Sequence, residues 1–183
     1  MKNYFKKKEF LKWPARPSRR QVFLLNYFWN NLNIIRAELK APIIITSFNR
    51  SIQKYRSMKA RGLYPSPTSD HFWGQAVPCQ LDKHKKIYGP YFTESAGAAD
   101  IVTPTISVFY AFRLIVKMAV TGVVNLGQVI YEKRRHPTPA EWIHLSNPRD
   151  HIFNKTYLEK TGGLKRKFLT SKNGGKTYRV FSF

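Results

Sequence analysis

The sequence predicts an α+β fold, a small antiparallel sheet with helices packed on one side, leaving a cleft for a site. Three observations carry the fold class. A long amphipathic repeat lies near the start, short β-branched runs follow it, and a second helical segment separates one strand from two later ones.

In chain order, residues 1–17 read as an irregular basic arm ending in "WPARP". The helix that follows opens on Ser18 and Gln21, a capping-box pair. Phe23, Leu24, Tyr27, Phe28, Leu32, Ile35 and Leu39 recur at helical spacing, and Pro42 ends the run. "IIITSF" is a short buried strand, and residues 49–61 favour a second helix. "WGQAVPCQ" and "GAADIV" read as strands separated by the turn-rich "LDKHKKIYGPYFTES". A third helix spans about Thr105–Val120, with Pro104 near its start and Gly122 near its end. "GQVIYEK" and "EWIHLS" are strands around the loop "RRHPTPA", and "GGKTYRVFSF" suits a hairpin or edge strand.

Composition narrows the function classes. Hydrophobic residues make up 43% of the 183, enough for a core and too many for a disordered tail. Arg113 and Lys117 interrupt the longest apolar stretch, so a membrane span is not expected. The basic start lacks an apolar h-region, so synthesis in the cytoplasm without a secretory signal is expected. Cys79 is the single cysteine, which rules out an intrachain disulfide and any multi-cysteine zinc knuckle. The net charge of +22 favours polyanions, either an anionic envelope or nucleic acid reached through the basic termini.

A zinc hydrolase needs three protein ligands, an open position for water and a general base. His71 in "SDHFWGQAVPC", Asp100 in "SAGAADIV" and His144 in "EWIHLS" offer a ligand set. Glu141 stands three residues before His144, and Arg50 follows the first strand in "TSFNRS". In order and context these residues resemble the zinc D-Ala-D-Ala peptidase family of D,D-carboxypeptidases, dipeptidases and phage endolysin peptidases. Ser47, Phe48, Asn49 and Arg50 stand where that family has Ser-Gly-Tyr-Arg. Ser69, His71, Gly74 and Ala76 match its Ser-x-His-x-x-Gly-x-Ala run, and "GQVIYEKRRHPTPAEWIHLS" resembles its closing strand pair. The similarity covers roughly residues 20–147.

One departure is plain. The family's ligand aspartate falls seven residues after the histidine, where this chain has Pro78. The family's Gly-x-Ala-x-Asp-Ile ending is echoed at 97–101, as though a segment over about 78–96 were inserted, and Asp100 becomes the displaced ligand. Asp82 is the other candidate, set among Lys83, His84, Lys85 and Lys86.

The resemblance implies His71, Asp100 and His144 as Zn2+ ligands, Glu141 as general base and Arg50 as oxyanion or carboxylate anchor. Glu132 is the next candidate for the base. Trp142 and Gln128 read as packing residues and His136 as loop. The implied domain covers 18–150, with a basic C-terminal extension over 151–183. The implied activity is hydrolysis of a peptide bond in peptidoglycan stem peptides or cross-links, at the bacterial cell wall, by an enzyme carried in or made by a phage. Two other readings remain open: a virion protein that keeps the fold without turnover, and a basic nucleic-acid-binding protein.

Overall fold

The computed structural model describes residues 4–5, 17–62, 70–73, 96–135, 139–148 and 167–182. Cys79, Asp82, His136, Ser69, Gly74 and Ala76, and most of the expected insertion, lie outside them.

Helix α1 (Arg19–Leu39) begins as its sequence dictates. Ser18 Oγ accepts from Gln21 N at 3.2 Å, and Ser18 N donates to Gln21 Oε1 at 2.8 Å. Two of the free N–H groups of the first turn are thereby satisfied. The helix ends at Lys40, whose φ of 50° is left-handed, just before Pro42. Leu24, Phe28, Leu32, Ile35 and Leu39 form its buried stripe. Phe23 lies outside that stripe, half-exposed and stacked on Tyr27 at 6.5 Å.

The other elements are β1 (Ile44–Ser47), α2 (Ile52–Ala60), a short 3-10 turn at Asp70–Phe72, β2 (Ala98–Val102), α3 (Val108–Val120), β3 (Gln128–Arg134), β4 (Ala140–Ser146), β5 (Lys167–Ser171) and β6 (Arg179–Val180). Helix α3 starts later than the position of Pro104 suggests. Ser107 is its cap, its hydroxyl accepting from Tyr110 N, because a hydroxyl satisfies a free N–H that proline merely lacks.

The strands form one sheet in the order β1-β2-β4-β3-β5-β6. Every pairing is antiparallel except β3 with β5, which is parallel. The architecture is α+β, and no described helix is long and apolar enough to cross a membrane.

Strand alternation gives the sheet two chemically different faces. Ala99, Ile101, Val129, Tyr131, Ile143 and Leu145 join the core with α1 and α3. Phe112 from α3 packs on Tyr131 and on Phe181, with ring centroids 5.9 and 4.9 Å apart. Asp100, His144 and Ile130 lie side by side in register on the opposite face, with Glu132 and Trp142 one pair further along.

Both expected extensions reach this framework. Phe5 is buried in the core, and the Tyr4 N–H donates to Asn33 Oδ1 at 2.8 Å, so part of the basic arm docks on α1. From the C-terminal extension, β5 and β6 complete the sheet.

Candidate metal centre

His71 sits at the tip of the 3-10 turn, held from two sides. Its carbonyl accepts from Arg50 N at 2.8 Å, and its ring Nδ1 donates to Phe48 O at 2.7 Å. Two residues on, Trp73 anchors the turn. Its ring is fully buried, edge-on to Phe28 at 5.5 Å and tilted against Phe48 at 4.4 Å, and its indole N–H donates to Ala98 O at 3.1 Å. The backbone makes room for that ring at Gly97, where φ is +88° and a Cβ would fall 2.3 Å from a Trp73 ring carbon. Gly97→Ala therefore combines overpacking with backbone strain, and thermal melts should show a loss of roughly 2–4 kcal/mol. A melting temperature unchanged from wild type would mean the ring is not fixed there.

Asp100 comes from β2 and His144 from β4, directly opposite in register. The order "Gly-Ala-Ala-Asp-Ile" thus returns an aspartate to the histidine despite the wrong spacing. Asp100 Oδ1 lies 3.2 Å from His71 Nε2 and 3.0 Å from His144 Nδ1, and the three ligand atoms all fall within 4.8 Å of one another. Ligands held tetrahedrally at about 2.0 Å from a zinc ion would stand about 3.3 Å apart. The spacing of Asp100 from each histidine matches that figure.

The hydrogen bonding carries the chemistry further. A carbonyl can only accept, so His71 Nδ1 bears the proton in the bond to Phe48 O. In the neutral ring, Nε2 then presents a lone pair to a carboxylate oxygen, a repulsive contact unless a cation or proton lies between. A backbone carbonyl that fixes the tautomer is the usual outer support of a metal-ligating histidine. Burial by itself would raise the Asp100 pKa. With both imidazoles protonated, the charges of His71 and His144 and their hydrogen bonds outweigh it and hold the carboxyl well below the ordinary range.

No family model, curated protein or solved structure matches the chain. The site must be read from its own geometry.

Arg50 is brought to the centre. Burial lowers its pKa, while the carboxylates of Asp100 and Glu132 oppose the fall, with a smaller contribution from Tyr55. It remains a cation beside the ligand set.

Glu141 is not brought there. Its three-residue spacing from His144 lies within a regular strand, where odd spacings face opposite ways, so Glu141 shares the face of Ile143 and Leu145. It pairs there with Lys133, whose hydrogen bond lowers its pKa, with Tyr131 as a second donor.

Glu132 occupies the face that Glu141 does not. It is only 8% exposed, and burial pushes its carboxyl up to about 7, with Asp100 adding to the rise and His144 and Arg50 opposing it. Among the described residues its carboxylate makes no hydrogen bond. Trp142 and Gln128, read from sequence as packing residues, are partly buried strand positions on this same face.

Sequence reasoning missed Tyr178. Burial, reinforced by Glu132 and Asp100, pushes its hydroxyl up to about 12. No local pattern marks this tyrosine, because it comes to the side of Glu132 through the parallel pairing of β5 on β3.

Proposed function

We propose that this protein is a zinc-dependent peptidase that cleaves a peptide bond in bacterial peptidoglycan, acting at the cell wall as a phage-associated enzyme. One observation carries the reading: ligand atoms of His71, His144 and Asp100 lie within 4.8 Å of one another, while Glu132, a buried carboxylate without a hydrogen bond among the described residues, shares the sheet face of Asp100 and His144. Two imidazoles and a carboxylate suit zinc, and such a set leaves a fourth position open. The peptide substrate class rests on the resemblance of the Ser-x-His-x-x-Gly-x-Ala run and the "EWIHLS" strand to wall peptidases.

Bound zinc would supply Lewis acidity and lower the pKa of a water. The chain's own groups do the rest. Glu132 takes the proton from the attacking water and returns it to the leaving amine, the role the motif gives to Glu141. A carboxyl poised near pH 7 by burial suits both halves of that exchange. Arg50 balances negative charge developing on the carbonyl oxygen. Phe48 O keeps His71 in the tautomer that binds metal, and Trp73 keeps its turn in place.

The test has two parts. Metal analysis of the purified full chain should find about one zinc per chain, lost in His144→Ala. Muropeptide digestion should stop on chelation and resume when zinc is restored. Zinc without any hydrolysis would favour the virion protein that keeps the fold without turnover. That reading draws on the charge of +22 and on Lys54, Arg56, Lys59 and Arg61, which stand exposed in or just after α2. A well-folded protein that takes up no metal would remove the peptidase reading altogether.

A further inference from the structure

The segment after β5 lies outside the part of the chain that resembles wall peptidases, yet it is built against the candidate centre. Ser171, at the end of β5, stands opposite Glu132 in register. Its hydroxyl accepts from Gly175 N at 3.0 Å, and Gly174 N donates to Lys133 O at 2.9 Å, which folds the turn back over β3. Asn173 braces the turn, accepting from Thr177 N at 3.0 Å and donating to Thr177 Oγ1 at 2.9 Å.

Gly175 has a φ of +82°, and a Cβ there would fall 2.8 Å from Glu132 Oε2 and 2.8 Å from the Tyr178 hydroxyl oxygen. The absence of a side chain at this one position lets a buried carboxylate and a phenol face the same small space. Neither makes a hydrogen bond among the described residues. Burying the Glu132 carboxylate without a hydrogen bond is costly, so the space it shares with Tyr178 is suited to a partner that arrives from outside. Tyr178 as a whole is 46% exposed, so the residue stands at the edge of this space and not in the core.

We propose that the Tyr178 hydroxyl, delivered by the β5–β6 hairpin, donates a hydrogen bond to the negatively charged oxygen of a ligand bound at the His71–Asp100–His144 centre. This rests on the metal reading above. A phenol is protonated at neutral pH and can donate; burial first, then Glu132 and Asp100, push its pKa further up. Tyr178 thereby stands with Arg50 as a second group meeting oxyanion charge, from the opposite end of the chain.

The probe is acetohydroxamate, a small metal-directed oxyanion that needs no peptidase activity to be bound. The full-length chain is loaded with Co2+, and hydroxamate binding is followed by its visible spectrum in wild type, Tyr178→Phe and Tyr110→Phe. Tyr110 is an exposed tyrosine on α3 and serves as the control. All three proteins should bind one Co2+, and Tyr178→Phe should weaken hydroxamate roughly ten-fold or more, the effect of losing a hydrogen bond to a charged group. Equal affinity in the three, or a wild type that binds Co2+ but no hydroxamate, would overturn the donor role and leave the metal reading standing. Loss of Co2+ in Tyr178→Phe alone would make the tyrosine structural and overturn it as well. Failure of every protein to take up Co2+ would overturn both.

Discussion

Glu132→Gln should lose hydrolysis by roughly 10²–10⁴-fold while keeping its metal, and Glu141→Gln should keep both. The two acids are nine residues apart on neighbouring strands, but the sheet separates them. Glu132 feels His144, Asp100 and Arg50, whereas Glu141 feels Lys133 and Tyr131. Activity lost in Glu141→Gln and retained in Glu132→Gln would reverse the assignment and require a bulge in β4.

A second readout needs no substrate. The Glu132 carboxyl is raised by burial from 4.5 to about 7 in the folded chain. Below about pH 4.5 it is neutral whether the chain is folded or not. Between 4.5 and 7 the unfolded chain ionises first, so stability falls as pH rises, and above 7 the loss is complete. The expected decline is roughly 3 kcal/mol in metal-free protein. Urea unfolding at pH 4.5 and pH 8 should show the wild type losing stability and Glu132→Gln losing much less. Parallel profiles for the two proteins would show that Glu132 is not buried as a charge.

Trp73→Ala should destabilise the fold by roughly 3–5 kcal/mol and weaken zinc binding at least ten-fold, although Trp73 touches no metal. The first effect follows from removing a fully buried indole between Phe28 and Phe48. The second follows from what the indole holds. Its N–H ties the 3-10 turn to Ala98 of β2, two residues from Asp100, so one side chain sets the distance between two ligands. Denaturant melts and competition with a zinc chelator measure the two effects separately. Lost stability with unchanged zinc affinity would mean that the bonds of His71 to Phe48 and Arg50 suffice to aim its ring.

Much of this arrangement can be read from local sequence, for identifiable reasons. Ser18 and Gln21 announce the start of α1 because a cap is chemistry between near neighbours. The ligand set is legible because His71, Asp100 and His144 each lie in a short recognisable run. The face on which Glu141 lies is not legible from motif spacing, yet the strand pattern contains the needed fact. If "EWIHLS" is a regular strand, Glu141 and His144 face opposite ways. Tyr178 is beyond local reading. Its place depends on β5 lying parallel to β3, a pairing between segments more than 30 residues apart that no turn signal specifies.

The alternation along β4 has a consequence for how this chain tolerates change. Ile143 and Leu145 are core residues, while His144 between them belongs to the candidate metal centre. A library of single substitutions sorted once for abundance and once for wall cleavage should give two different sensitivity profiles over 142–146. They should interleave residue by residue, since His144 can be replaced at little cost to abundance and its neighbours cannot. Under the proposed function, loss of activity and loss of the protein are separable by single mutations, and an inactive but intact descendant of this chain lies one substitution away.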